Sequence, residues 1–190
     1  MARKYELKRR AERQEQTRLR IVEAAIELHR TKGPARTTLS DIARVAGVER
    51  HTLYRHFPDE RAIGLACSAL HVGRNPPPDA AQLLSIEDLN ERRRAGLTEL
   101  YTWFEANQDM LGAVLRDAEV DPLAGEMFAL RAGEAMGKIG VVLAEGLEPG
   151  GRGRAVLELA LDFYTWRRLA RSGLSVEDAA GTMAGLMHCP

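Results

Sequence analysis

Apolar residues recur along this chain at three- and four-residue spacing, the period of amphipathic helices, and the whole chain reads as helix. Leu19, Val22, Ile26 and His29, widened by Ile21, Ala25 and Leu28, predict a helix from about Gln14 to Lys32, ended by Lys32-Gly33-Pro34. Between Thr38 and Phe57 the pattern predicts two short helices meeting at Gly47, where a left-handed residue can stop one helix and start the turn to the next. Ser40 or Asp41 is the expected cap of the first. Ile42, Val45, Val48, Leu53 and Phe57 supply the expected buried faces, and Ala43 and Ala46 permit a close crossing. A fourth helix, capped by Asp59, is expected to run to about Val72 and to stop at Gly73-Arg74-Asn75-Pro76-Pro77-Pro78, because successive prolines forbid helical hydrogen bonding.

Beyond the prolines, a Ser85-x-x-Asp88 capping signature opens a helix to about Asn107, and Asp109 to Glu119 forms a shorter one stopped by Asp121-Pro122. Single helices are expected over 123–147 and 152–172, the second apolar almost all round, and a last one from Ser175 to about His188. The last helix carries a broad stripe of Val176, Ala179, Ala180, Met183, Leu186 and Met187, with Gly181 and Gly185 small enough for close helix contact; the final two helices are therefore the expected dimer surface. These readings divide the chain into a basic, disordered arm over 1–13, a helix-turn-helix domain over 14–57, a linking helix over 58–74 and a helical domain over 75–190.

The net charge of zero conceals a division. Residues 1–65 hold fifteen Lys or Arg against nine Asp or Glu, and the rest hold twelve against eighteen. A basic head on an acidic remainder suits a phosphate-binding module joined to a different one. No apolar run is long enough to cross a bilayer and the N-terminus is basic, so a cytoplasmic location is expected. Cys67 and Cys189 form no disulfide framework.

The second short helix concentrates the chemistry. Arg50, His51, Thr52, Tyr54, Arg55 and His56 surround a single obviously buried residue, Leu53. Arginine can donate bidentately to guanine or hold a phosphate, and Thr and Tyr hydroxyls suit phosphate oxygens, so this helix is expected to enter a DNA major groove. The expected DNA-binding set is Thr38, Ser40, Arg50, His51, Thr52, Tyr54, Arg55, His56 and Arg61. Two short packed helices could instead serve a protein partner, and that alternative stays open here.

The run Ile42-Ala43…Ala46-Gly47-Val48…Thr52-Leu53-Tyr54-Arg55-His56-Phe57 resembles the DNA-binding domain of the TetR family of transcriptional regulators. The segment Leu161-Asp162-Phe163-Tyr164-Thr165-Trp166-Arg167 through Ser175 is similar to the family's C-terminal end. The resemblance implies an all-α fold, with an N-terminal three-helix helix-turn-helix domain and a C-terminal helical ligand-binding and dimerisation domain. It further implies a homodimer through the last two helices, a palindromic double-stranded operator, and a small-molecule effector that releases a repressor from DNA. A lysine usual shortly after the Phe is replaced by Glu60 here, with Arg61 as its expected substitute.

In the remainder, Arg93 stands on an apolar stripe, where it can reach past the core to solvent or meet a buried acid or anionic effector. Arg93, Leu100, Trp103, Phe104, Phe128, Phe163 and Trp166 are the candidate lining of an effector pocket. Arg92, Arg94, Asp117, Glu119 and Asp121 read as solvated. Cys67 and His71 lie one helical turn apart, but two ligands make no closed metal site, and His188 and Cys189 are distant; no metal or cofactor is expected. No phosphate loop, nucleophile elbow or zinc-protease pair occurs, and no catalytic residue is assigned.

Overall fold

The computed structural model describes residues 2–187, with side chains from Tyr5 onward; His188 and Cys189 lie outside the described residues, as do the side chains of Arg3 and Lys4. The architecture is all-α. Its helices are α1 (Ala2–Thr31), α2 (Leu39–Ala46), α3 (Arg50–His56), α4 (Glu60–Arg74), α5 (Ala80–Leu83), α6 (Leu89–Ala106), α7 (Gln108–Ala118), α8 (Pro122–Phe128), α9 (Glu134–Leu143), α10 (Arg152–Ala160), α11 (Phe163–Arg171) and α12 (Val176–Leu186). The chain forms two compact units. The first joins Met1–Arg74 to Gly112–Arg131, and the second joins Asn75–Leu111 to Ala132–Pro190.

In the first unit α1 packs on α2 and α4, α2 on α3, and α4 on α8. Ile21, Val22, Ala25 and Leu28 of α1 meet Ile42, Ala43, Leu53, Phe57, Ile63 and Cys67 in one core. The polarity of the first thirteen residues predicts disorder; instead residues 2–13 are the opening turns of α1. Their Ala, Leu, Lys, Arg and Glu are strong helix formers, and one-turn pairs support them: Lys8 with Glu12 at 3.9 Å and Arg9 over the Tyr5 ring at 5.7 Å.

The second unit is built on α6 and α12, with α10 and α11 against α12 and with α5 and α9 against α6. The single helix expected over 152–172 is two. Asp162 accepts from the Thr165 amide at 2.8 Å and caps α11, while the buried Tyr101 hydroxyl donates to the Ala160 carbonyl at 2.9 Å and satisfies the end of α10. The helix expected over 123–147 is also divided, α8 and α9 being separated by a π-helical segment, Ala129–Gly133. Asp88, rather than Ser85, caps α6.

Two arginines of α6 correct the sequence reading. Arg92 is 7 % exposed, donates to the Ile86 carbonyl at 2.8 Å and pairs with Glu145, so it is not solvated. Arg93 is 2 % exposed and does not reach solvent: it donates to the Leu143 carbonyl at 3.0 Å, to that of Glu145 and to Asn90 Oδ1 at 3.3 Å. The Leu143 and Glu145 groups are carbonyls at the end of α9, which a helix cannot satisfy internally and which favour a cation. Arg93 is thereby a cap between elements.

Candidate nucleic-acid interface

α2 begins at Thr38, not at Ser40 or Asp41. The Thr38 hydroxyl accepts from the Asp41 amide at 3.1 Å, and the Asp41 carboxylate accepts from the Thr38 amide, closing a reciprocal capping box. Arg44 at 3.2 Å, Thr38 and Lys32 at 3.6 Å hold the Asp41 carboxyl below its usual range, and they place two cations beside the first turn of α2. Ser40 is exposed on that turn. At the other end Gly47 adopts φ 63 and ψ 42, and its amide donates to the carbonyls of Ala43 and Arg44 while the Val48 amide reaches Ala43 at 3.0 Å. A side chain with a Cβ is strained in this conformation, so glycine sets the turn into α3.

α3 is seated by Leu53 (0 % exposed) and Phe57 (2 %), and Val45, expected in the core, is 45 % exposed because α2 turns that side outward. The opposite side of α3 presents Arg50, His51, Tyr54 and Arg55 to solvent, with Thr52 half-buried at its edge. One-turn spacing organises these groups: Arg50 lies over the Tyr54 ring at 5.9 Å and donates to its hydroxyl at 3.4 Å. The His51 ring and the Thr52 hydroxyl are 3.3 Å apart. A cation already resting on an aromatic ring loses less freedom on meeting a phosphate or a base edge.

Two members of the expected set are placed differently. His56 is half-buried with Nε2 enclosed and without a hydrogen-bond partner; burial, then Arg55 and Arg18, lower its pKa. It turns toward α1, where Arg18 stacks over Phe57 at 5.1 Å, so its enclosed nitrogen is not presented to a phosphate. Arg61 pairs with Glu126 of α8, which raises its pKa and occupies the side chain expected to replace the missing lysine.

Sequence reasoning missed Asp117. It is 3 % exposed, and its carboxylate accepts from the Ala35 amide at 3.0 Å and from Arg116 Nε at 2.7 Å. Arg116 also donates to the Lys32 carbonyl at 2.9 Å. Together they clamp the 3-10 turn Pro34–Arg36 that leads into the Thr38 cap. The adjacent Asp121 caps α8 through the Leu123 amide at 3.0 Å, so it too is engaged. Cys67 faces His29, Sγ to Nδ1 3.6 Å, rather than His71; burial lifts the thiol to about 11 and depresses His29 to about 4 against the attraction of Asp117 and Asp121. Among the described residues no three His, Cys, Asp or Glu side chains gather as a metal site.

The candidate effector residues fall in both units. Phe128 lies on α8 of the first. In the second, Leu100, Phe104, Phe163 and Trp166 are at most 3 % exposed, with the Phe104 ring 5.5 Å from Phe163 and 5.8 Å from Trp166. Trp103 is half-buried and donates to the Asn75 carbonyl at 3.1 Å. The aromatic rings thus fill the core of this conformation. No helix among the described residues is long and apolar enough to cross a membrane.

Residues 21–67, from the core face of α1 to Cys67, match the family described as bacterial regulatory proteins, tetR family. Over 57 residues the chain is 47% identical to the HTH-type transcriptional regulator TtgR of Pseudomonas putida, an overlap of 30% of this chain and 27% of that protein. The chain thus matches just over a quarter of the length of that relative. Among solved structures, the TetR-family regulator PfmR of Thermus thermophilus is 25% identical with a TM-score of 0.59, covering 88% of this chain and 96% of PfmR. The Clostridium perfringens putative fatty acid metabolism regulator, 17% identical, has a TM-score of 0.63 over 88% of this chain and 96% of its own, a likeness of fold. The tetR-family match thus covers the helix-turn-helix segment of residues 21–67, and the fold around it is similar to that of the TetR-family regulator PfmR.

Proposed function

We propose that this chain is a sequence-specific, double-stranded-DNA-binding transcriptional regulator, a repressor released from its operator by a small-molecule effector. The observation that carries the reading is α3, a short helix seated by Leu53 and Phe57 that offers Arg50, His51, Tyr54 and Arg55 outward. Arg50 and Arg55 serve base edges or phosphates, Thr52 and Tyr54 serve phosphates, and Thr38 and Ser40 lie at the adjoining end of α2. The effector belongs to the aromatic cluster of the second unit, where it would have to separate Trp103, Phe104, Phe163 and Trp166 and so favour a conformation other than this one.

The acting species is a homodimer through α11 and α12. Ala179, Ala180, Met183 and Met187, expected on the dimer stripe, are buried within the single chain, which narrows the surface left for a partner. Leu186 is 42 % exposed, and a Cβ added at Gly181 or Gly185 would meet nothing within 4 Å. A second copy can approach closely there, and a two-fold axis matches half-sites in successive major grooves.

The test is selection of duplexes by the purified protein from a randomised pool, then fluorescence anisotropy of the selected duplex against scrambled competitor at several salt concentrations. Competitor-resistant binding of a dimer is expected, with specificity lost in Arg50→Ala or Arg55→Ala if that residue reads a base. Failure to enrich any sequence, with no binding even at low salt, would overturn the reading.

A further inference from the structure

The first turns of α1 are unlike the rest of the helix. From Tyr5 to Gln16 every residue is exposed; the first fully buried residue is Ile21. At 1.5 Å per residue the segment from Ala2 to Gln16 is a rod about 20 Å long. Apart from the exposed Tyr5 and Leu7 its large side chains are polar on every side, and a helix of that kind is sustained by its own pairs or by a partner outside the chain.

Its charge identifies the partner. Between Tyr5 and Arg20 there are six Lys or Arg and three Glu. Lys8 is matched to Glu12, and Arg18 to Glu15 at 3.8 Å, which leaves Arg9, Arg10, Arg13 and Arg20 against Glu6 alone, a surplus of three positive charges. Arg9, Arg13, Gln16 and Arg20 follow one another at steps of four, three and four, a single line along the helix, and Arg13, Gln16, Thr17, Leu19 and Arg20 border an open groove. The rod departs from beside α3: Arg18 lies on the Phe57 ring that ends α3, and Glu15 and Arg18 act on the charge of His56.

We infer that this N-terminal helix is a second DNA-binding element, which follows the phosphates flanking the half-site read by α3. The inference rests on the operator-binding reading. A polyanion adjoining α3 is the occupant that a basic, fully exposed helix anchored at its end is built to meet. Being continuous with α1, the element loses little freedom on binding, whereas a flexible tail would have to be ordered. At 3.4 Å per base pair, 20 Å extends each half-site footprint by about six base pairs, without sequence preference.

The test compares the full chain with Arg9→Gln/Arg10→Gln/Arg13→Gln, glutamine being as good a helix former as arginine. Both bind the duplex selected by the wild-type protein, once with ten further base pairs on each side and once cut at the half-sites. The triple variant is expected to weaken binding to the long duplex only. Three lost phosphate contacts flatten the salt dependence so that doubling the salt costs the wild type about six-fold more affinity than the variant. Hydroxyl-radical protection of the flanks should disappear with it. Equal salt slopes and equal flank protection for both proteins, with specific binding intact, would overturn the inference and leave the regulator reading standing. Wild-type protein that selects no duplex would sink both.

Discussion

Gly33→Ala probes the clamp that leads into the helix-turn-helix. Gly33 stands at φ 97 and ψ 155, a region essentially confined to glycine, and a residue forced to stay there costs on the order of 1–3 kcal/mol. The added Cβ would fall 2.2 Å from Asp117 Oδ2 and 2.3 Å from Arg116 Nη2. The guanidinium can swing aside, but the buried carboxylate is held by the Ala35 amide at 3.0 Å and has to give up that bond. Loss of a buried hydrogen bond to a charged group adds roughly 1.5–3 kcal/mol, so the substitution should destabilise the first unit by about 3–5 kcal/mol. Urea unfolding followed by far-ultraviolet circular dichroism should show an early transition, whereas the fluorescence of Trp103 and Trp166, both in the second unit, should hardly move. In an Asp117→Ala background the clash with the carboxylate is gone, Arg116 can swing aside and the backbone strain remains, so the cost of Gly33→Ala should fall to about 1–3 kcal/mol. Equal costs in the two backgrounds, or a Gly33→Ala protein within about 0.5 kcal/mol of wild type, would refute the clamp.

Other consequences can be measured alongside. His29 takes up a proton near its ordinary 6.5 when unfolded but only near 4 when folded, so its contribution is intact above pH 6.5 and is lost as pH falls toward 4. The loss should reach about 3 kcal/mol, and urea titrations of His29→Gln between those values should show a correspondingly flatter pH dependence; matching slopes in the two proteins would contradict the burial argument. Thr38→Ala removes the hydroxyl of the capping box and should cost about 1 kcal/mol by thermal melting, with Thr38→Ser restoring most of it. Gly185→Arg should convert the dimer to monomers in sedimentation while leaving the helix content unchanged, since the site is open within the chain; an unaltered dimer would place the interface elsewhere.

The helix-turn-helix was legible because its determinants are local. Gly47 sits four residues after Ala43 and one before Val48, and the backbone bonds that make the turn join those residues. The opening turns of α1 are helical where their polarity points to disorder, and one-turn pairs such as Lys8 with Glu12 are the local signal for it. The places of Asp117 and Arg93 are hidden from the sequence for a different reason. The amide that Asp117 receives is 82 residues away, and the Leu143 carbonyl that Arg93 reaches is 50 away. A charged residue beside Asp121-Pro122, or on an apolar stripe, gives no local sign of such a partner. The dimer stripe is legible only in part: α12 shows one broad apolar face, and spacing does not distinguish burial against α6, which takes Ala179, Ala180 and Met183, from burial against a second copy.

The composition of the first unit has a consequence for how such regulators can be recombined. Exchanging DNA-reading heads between relatives by splicing at the proline run after Arg74 treats the head as one contiguous stretch, yet this head is completed by 112–131. A graft ending at Arg74 would arrive without Asp117 to hold the Ala35 amide, without Glu126 to pair with Arg61, and without Arg131, whose guanidinium reaches Ser68 Oγ at 3.1 Å and the Leu65 carbonyl at 3.0 Å. The recipient's own residues at those places would have to supply the same donors and acceptors. The first unit is transferable only as a two-piece inheritance, and a hybrid that keeps both pieces should outlast one that keeps the helix-turn-helix alone.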